Sequence, residues 1–244
     1  PLVVEPFQED YQGRLAWGTL GNLVLRASSL HAEAHGFGYT YMQTHRRGWV
    51  LARLILDVEQ LPTTGQNYSI ATWVSRIYNQ FTDRLYTIAG SDGTVYGHGS
   101  SVWALIDYDT RQPVNLASLP DGGFADALLE EGVPIDGPTA GRCRSQEPVL
   151  THRAAVSDLD VNGHLNSIRY IQLMLDTFDK AWHDTYRVRR IEISYGHEAY
   201  CGQTLQIFRE QLDQQRYAFN VVRPDEDPTK PAAVLAKAIV CSAP

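Results

Sequence analysis

Apolar residues along the chain follow two periods, and the change from one to the other happens twice in the same order. From residue 19 to 35, Leu20, Leu23, Val24, Ala27, Leu30 and Ala34 recur at helical spacing. Thr19 reads as the N-cap of this helix and Gly36 as its C′ stop. Strand-like runs follow at residues 50–58, 67–77, 81–89 and 95–106. The turn signals between them are Pro62-Thr63-Thr64-Gly65 and Ser91-Asp92-Gly93. In the second half a helix is expected over residues 165–181, with Leu165, Ile168, Ile171, Leu175 and Phe178 on one stripe. Strands then follow at 188–195, 204–212 and 217–222, and a last one at 232–241 after the loop 224–228. One helix followed by a meander of strands, twice, predicts an α+β chain of two similar units, each an antiparallel sheet wrapped around a central helix.

A direct residue match supports duplication. Asp10-Tyr11-Gln12-Gly13-Arg14-Leu15-Ala16 aligns without a gap to Asp160-Val161-Asn162-Gly163-His164-Leu165-Asn166, in each half just before the helix. Gly65 has a counterpart in Gly202. Gln12 and Arg14 occupy the places of Asn162 and His164, so the second copy alone carries the more reactive side chains. Residues 109–141 are rich in Gly, Pro and Asp, as a surface connection would be, with a short helical turn expected at 126–130. The expected layout is a first domain over 1–120, a linker over 121–146 and a second domain over 147–244.

Composition narrows the classes. An apolar fraction of 43% and a charged fraction of 20% are those of a folded globular chain. No apolar run approaches the roughly 20 residues that span a bilayer, and the first residues lack the pattern of a signal peptide. Stable membrane association is therefore not expected. A net charge of -7 argues against a general nucleic-acid binder. Cys143, Cys201 and Cys241 have no paired spacing for disulfides or zinc, which points to a reducing, cytoplasmic setting and no metal. His31 and His35 lie at i, i+4 but lack a third ligand, and read as a polar helix face.

The richest chemistry lies in residues 157–166. Asp160, Asn162, His164 and Asn166 alternate just ahead of an apolar helix, where free N–H groups favour negative charge. Two readings stay open from these residues alone. Asp160, Asn162 and His164 converge as a reactive group; or Asp160 and Asn162 make a turn, Asn166 caps the helix and His164 is a satisfied, half-buried ring.

The string Asp158-Leu159-Asp160-Val161-Asn162-Gly163-His164-Leu165-Asn166 resembles the D-x-N-x-H-x-N signature of acyl-acyl-carrier-protein (acyl-ACP) thioesterases, bacterial type. The run 193–199 resembles the strand that carries the family's catalytic glutamate, which falls on Glu198. Trp49-Val50-Leu51-Ala52-Arg53, Leu61-Pro62, Gly65, Thr72-Trp73 and Ser100-Ser101-Val102-Trp103 resemble further landmarks in order, so that the likeness spans residues 9–240. It implies a tandem (double) hot-dog fold and hydrolysis of fatty acyl-ACP to free acid. Asp160, Asn162, His164 and Glu198 are then the catalytic set: Glu198 as general base, Asn162 holding the carbonyl oxygen, His164 donating or positioning water, and Asp160 fixing the His164 tautomer. Plant relatives often carry cysteine directly after the glutamate; here that residue is Ala199, which disfavours a Cys–His mechanism, and Cys201 reads as packing. His197, its neighbour in a strand, should face away from Glu198.

The resemblance also implies that the first half shapes an acyl slot, with Leu23, Ala27, Leu30, Trp49, Leu51 and Ile70 as candidate lining, alongside a degenerate copy of the active site. No cofactor is implied beyond the substrate's own phosphopantetheine. The partner is an acidic acyl carrier protein, met through a local basic patch at Arg142-Cys143-Arg144, Arg187, Arg189-Arg190 or Arg46-Arg47, with the enzyme a monomer or homodimer. The competing readings are a coenzyme A thioesterase on the same fold, a non-catalytic acyl-binding module, and a hot-dog dehydratase.

Overall fold

The computed structural model describes residues 2–119, 127–224 and 232–243. The chain divides into two units, Pro1–Asp136 and Gly137–Pro244, at a point inside the stretch read as linker. Residues 120–126 and 225–231, which hold part of the expected linker, the start of its helical turn and most of the loop 224–228, lie outside the described residues.

In the first unit the strands β1 (Leu2–Val3), β2 (Arg47–Val58), β3 (Asn67–Ile77), β4 (Phe81–Gly90) and β5 (Val95–Asp107) are ordered β1-β3-β4-β5-β2, with every neighbouring pair antiparallel. The long helix α1 (Trp17–Ala34) packs against β3, burying Leu20, Val24, Ser28 and Ala32 at four-residue steps. It starts three residues earlier than a Thr19 cap implies, with Ala16 at the N-cap and no side-chain cap. The apolar Trp17 and Leu20 set the first turn there, and Ala16 is already tied by its N–H to Gln8 O at 2.9 Å. Its end is as the sequence implies. Gly36 adopts φ +78°, its N–H donates to Glu33 O, and Phe37 N–H reaches back to Ala32 O, the paired bonds of a glycine C-cap. A short helix, α2 (Tyr39–His45), which the apolar periodicity did not mark, follows.

On β4 the buried residues alternate as Thr82, Arg84, Tyr86 and Ile88, so two large polar side chains face inward. Tyr86 is satisfied there by Ser28 and Ser101, each hydroxyl at 2.7 Å, and Ser101 also accepts from Trp103 Nε1.

The second unit repeats the plan. Strands β6 (Leu150–Arg153), β7 (Arg187–Tyr195), β8 (Thr204–Gln211), β9 (Arg216–Arg223) and β10 (Ala233–Ala243) are ordered β7-β10-β9-β8-β6, again antiparallel between all neighbours. Their inward faces bury Ile191, Ile193, Leu205, Ile207, Phe219, Val221, Leu235 and Val240. Each such side chain contributes about 2 kcal/mol on leaving water.

The single helix expected over 165–181 is two: α3 (Ser167–Leu175) and α4 (Lys180–Thr185). The break follows from polar side chains that compete for backbone groups. Thr177 Oγ1 donates to Met174 O at 2.7 Å, and Asp179 caps the new helix by accepting from Trp182 N at 2.8 Å. Phe178, the last residue of the expected stripe, is buried instead in a cluster with Trp182, Tyr217 and Phe219. Tyr195 on β7 ties α3 to the sheet through its hydroxyl, which donates to Ser167 O at 2.8 Å.

Candidate active site

The site is built from two loops of the second unit, and the first unit holds the same two loops with other side chains. Before α3, Asp160 N–H donates to His164 O at 2.8 Å and Gly163 N–H to Asp160 O at 3.1 Å. Before α1, Asp10 N–H donates to Arg14 O at 2.7 Å and Gly13 N–H to Asp10 O at 3.0 Å. Gly13 and Gly163 both carry positive φ, +73° and +76°, which the turn requires and which glycine adopts without strain. The equivalence extends outward: Leu15 N–H meets Pro62 O as Leu165 N–H meets Ala199 O, both at 2.8 Å. Gly65 and Gly202 donate to Val4 O and Ala154 O in the same way. Duplication is thus visible bond by bond.

Within this frame His164 and Glu198 come together. His164 Nδ1 lies 3.5 Å from Glu198 Oε1, with the two side chains 27% and 40% exposed. The distance is longer than an ordinary hydrogen bond. Glu198 is not on a strand: β7 ends at Tyr195, and both His197 and Glu198 lie in the bend that follows, so alternation along a strand does not decide where His197 points.

Asp160 does not meet the His164 ring in the way expected. Its Oδ1 accepts from the backbone N–H groups of Asn162 at 2.8 Å and His164 at 3.1 Å. The carboxylate therefore shapes the loop that presents His164. Asp10 binds Gln12 N and Arg14 N in the same manner and adds the Arg14 guanidinium at 2.9 Å. Asn162 stands exposed at the tip of the loop, beside Val161, which is 95% exposed. Asn166 caps α3, its Oδ1 accepting from Ile168 N at 2.8 Å. The turn-and-cap contacts account for Asp160 and Asn166, Asp160 and Asn162 do not converge on the His164 ring, and His164 instead approaches Glu198.

Tyr200 is a neighbour the sequence reading missed. Its hydroxyl donates to Glu198 Oε2 at 2.8 Å, and its ring meets the His164 imidazole edge-on at 5.1 Å. Glu198 and Tyr200 flank the fully buried Ala199, and the bend brings their side chains together. The bend is clamped from behind. Gln203 Oε1 accepts from Tyr200 N at 2.9 Å and Arg223 Nη1 at 3.1 Å, and Arg223 also reaches Glu198 O at 3.3 Å. Tyr170 of α3 lies below. Burial pushes its phenol up from the usual range, with Arg223 opposing and Glu198 adding to the shift.

A second network anchors the His164 loop. Asp158, 6% exposed, accepts from His152 Nε2 at 2.7 Å, Ala155 N at 2.8 Å and Arg169 Nε at 2.9 Å. Burial raises its carboxyl, but these three donors outweigh burial and hold it below the ordinary carboxylate range.

Several other expectations are corrected. Cys201 is exposed, not packed. Leu30 is 58% exposed and does not line an interior slot. The polar helix face read at His31 and His35 is half-buried, with the two rings stacked at 4.2 Å. Of the candidate docking arginines, Arg190 is 6% exposed and committed to Glu192 at 2.8 Å and to Gly137 O at 2.9 Å, which removes it from any docking surface. Arg46 is held by Asp109 at 2.6 Å, while Arg142, Arg144 and Arg187 are exposed. Among the described residues no three His, Cys, Asp or Glu side chains form a metal-binding group, and no helix is long and apolar enough to cross a membrane.

Comparison with known proteins follows the same division. Residues 3–118 match the family model described as acyl-ACP thioesterase N-terminal domain, and residues 144–232 match that of the C-terminal domain. An acyl-ACP thioesterase of Bacteroides thetaiotaomicron is similar at 35% identity and TM-score 0.90, covering 99% of this chain and 96% of that one. A 12:0-ACP thioesterase of Umbellularia californica shares the fold at TM-score 0.84 and 18% identity, over 100% of this chain and 95% of that one. Oleoyl-acyl carrier protein thioesterase 1, chloroplastic, of Arabidopsis thaliana is 26% identical over 74% of this chain and 54% of its own length. The chain spans about half the length of the curated relatives it matches.

Proposed function

The chain belongs to the acyl-ACP thioesterase family, and on that premise we propose that it hydrolyses fatty acyl-ACP to free fatty acid and holo-ACP. The observation that carries the reading is the approach of His164 Nδ1 to Glu198 Oε1 at 3.5 Å on two exposed loops. Glu198 takes a proton from water as the oxygen attacks the thioester carbonyl. The C–S bond then breaks and the departing thiolate receives the proton. His164 orients the water or donates to the developing oxyanion, and Asn162, exposed on the same loop, donates to that oxygen. Asp160 acts through the loop by holding the amides of Asn162 and His164. Tyr200 positions the Glu198 carboxylate through its 2.8 Å hydrogen bond.

Each unit serves as a hot-dog domain with its sheet wrapped on its own helix, the first shaping the acyl slot and the second supplying the reactive side chains. The long helix packed on β3 and the tie from Tyr195 to α3 support that arrangement. No cofactor takes part beyond the phosphopantetheine of the substrate. The carrier protein meets exposed arginines such as Arg142, Arg144 and Arg187. The enzyme works in the cytoplasm as a monomer or homodimer.

Thiol release from acyl-ACP and acyl-coenzyme A substrates of C8 to C18 tests the reading. Release that favours the carrier-bound substrate and falls by about 10²-fold or more in Glu198→Gln and His164→Ala is the expected result. Equal or greater release from coenzyme A moves the partner to coenzyme A. Near-normal turnover in both variants removes the catalytic assignment.

A further inference from the structure

Glu198 lies outside the ladder, in the bend after β7, so strand pairing does not set where its carboxylate stands. Two side chains grip that bend. Gln203 Oε1 accepts from Tyr200 N at 2.9 Å, and Arg223 Nη1 donates to Gln203 Oε1 at 3.1 Å and to Glu198 O at 3.3 Å. The duplicated unit separates what each of them does.

The first unit makes the same turn with a glutamine and with no cation. Gln66 Oε1 accepts from Thr63 N at 2.8 Å, as Gln203 Oε1 does from Tyr200 N. Gln66 N–H donates to Thr63 O at 3.0 Å, and Gln203 N–H to Tyr200 O at 3.2 Å. Gln66 O accepts from Val4 N at 3.1 Å, and Gln203 O from Ala154 N at 2.9 Å. The ladders then give the counterpart of Arg223. Ser69, three residues after Gln66, pairs with Ala89; Gln206, three residues after Gln203, pairs with Val222. The next residue is Gly90 in the first unit and Arg223 in the second. The turn is therefore complete without a guanidinium.

Two neighbouring positions change along with this one. Leu61 stands at the place of Glu198, and Leu20, ten residues after Asp10, stands at the place of Tyr170, ten residues after Asp160; both leucines are buried. The second unit thus gains a carboxylate, a cation and a phenol where the first has apolar side chains or none. The three feel one another: burial raises the Tyr170 phenol, and Arg223 and Glu198 act on it in opposite directions. A cation that accompanies the carboxylate, in a turn that folds without it, serves the carboxylate.

We propose that Arg223 is a positioning residue for the reaction. By binding the Glu198 carbonyl and the Gln203 side-chain oxygen from one nitrogen, it fixes the backbone from which Glu198 reaches toward His164. This role rests on the hydrolysis proposed above. The guanidinium suits it, because charge assistance strengthens both bonds and the planar group holds its donors in a fixed geometry. Glu198 Oε1 stands 3.5 Å from His164 Nδ1, and a displacement of about 1 Å in such a pair lowers the rate by on the order of 100-fold.

The test pairs kinetics with crystallography on the full chain. Arg223→Met keeps the aliphatic stem and removes the donors, and Arg223→Lys restores a cation without the fork. With dodecanoyl-ACP, Arg223→Met should lower kcat by on the order of 10- to 100-fold and leave KM within about threefold of wild type. Arg223→Lys should recover part of that loss. In a Glu198→Gln background Arg223→Met should lower kcat little further, since the group it places is gone. Crystal structures should show the distance from His164 Nδ1 to Glu198 Oε1 longer by about 1 Å in Arg223→Met than in wild type. A normal kcat in Arg223→Met, an equal loss in the Glu198→Gln background, or an unmoved carboxylate overturns the proposal. If Arg223→Met does not fold, Arg223→Lys is held to the same three criteria, with a smaller loss of kcat expected. If the wild type hydrolyses neither dodecanoyl-ACP nor dodecanoyl-coenzyme A, the proposed reaction fails, and the displacement of the Glu198 carboxylate alone decides for or against Arg223.

Discussion

The Asp158 carboxylate accepts a 2.9 Å hydrogen bond from Arg169 Nε, joining the turn before the His164 loop to the first helix behind it. His152 takes the other oxygen at 2.7 Å, and Asn166 N–H binds the Asp158 carbonyl at 2.9 Å. The loop that presents His164 is therefore held at both ends by one residue.

Asp158→Asn should lower unfolding stability by about 3 kcal/mol, since it removes a buried carboxylate charge from Arg169 and weakens the hydrogen bonds it accepts from His152 and the Ala155 amide. The pH dependence follows from the lowered carboxyl. A group depressed in the fold contributes fully above its unfolded value, about 3.9, and the contribution is lost as pH falls through the lower folded value. Urea titrations at pH 7 and pH 3 should show the wild-type advantage over the variant at neutrality and its decline in acid. An equal gap at both pH values would argue that the carboxylate charge is not what matters.

Tyr200→Phe removes the hydroxyl at Glu198 Oε2 and keeps the ring that meets His164 edge-on. Turnover should fall roughly tenfold, the cost of about one charge-assisted hydrogen bond, with KM little changed. In a Glu198→Gln background the same change should add almost nothing, because the carboxylate it positions is gone. Additive losses in the double variant would make Tyr200 a packing residue.

How far the chain could be read in advance depended on what each element answers to. Strands β3 and β5 and the Gly36 stop were legible because alternation and glycine chemistry are local. The split between α3 and α4 was not, since the apolar stripe continues through Phe178 while Thr177 and Asp179 divert the backbone. At the site, His164 and Glu198 could be read from a motif, and the duplicated turn from an ungapped match. The part Asp160 plays was not legible: the motif set it on the His164 ring, and only three-dimensional contacts show that its carboxylate holds backbone amides, while Asp158, given no role by the sequence, pairs with Arg169. Arg190 looked like surface charge beside Arg189, but alternation along β7 turns one inward and leaves the other half-buried.

Arg190→Ala should unfold the second unit more easily and leave carrier affinity alone. The change strands Glu192, 6% exposed, with its counter-charge gone, a loss of about 3–5 kcal/mol. Chemical denaturation should report that loss, while KM for an acyl-ACP substrate at low temperature should be unchanged. A raised KM with normal stability would return this arginine to the docking surface.

His31 gives unit 1 an acid sensitivity of its own. Burial, then Arg84 and His35, lower its pKa to about 4. The ring is neutral in the fold across the window from about 6.5, its ordinary value, down to about 4. In that window the unfolded chain takes up a proton that the fold refuses, so stability falls as pH decreases. His31→Leu should flatten the dependence of Tm on pH between these limits, and an unchanged slope would place the acid sensitivity elsewhere.

The two copies of the loop make a last prediction possible. Arg14 and Gln12 occupy the His164 and Asn162 positions on a turn with the same hydrogen bonds, which suggests that Gln12→Asn with Arg14→His would create a second site. The partner loop decides against it. Leu15 N–H meets Pro62 O as Leu165 N–H meets Ala199 O, so the residue equivalent to Glu198 is Leu61, an apolar side chain only 8% exposed. A histidine at 14 would find no carboxylate at the place Glu198 holds in the second unit, and the substitution would also break the bond from the Arg14 guanidinium to Asp10. That pair is partly exposed and follows helix-like i, i+4 spacing, so its loss should cost under about 1 kcal/mol. The double variant placed in a Glu198→Gln background should therefore fold almost normally and recover no thioester hydrolysis. Recovered turnover would show that the histidine alone suffices, and that the Glu198 carboxylate is not the base.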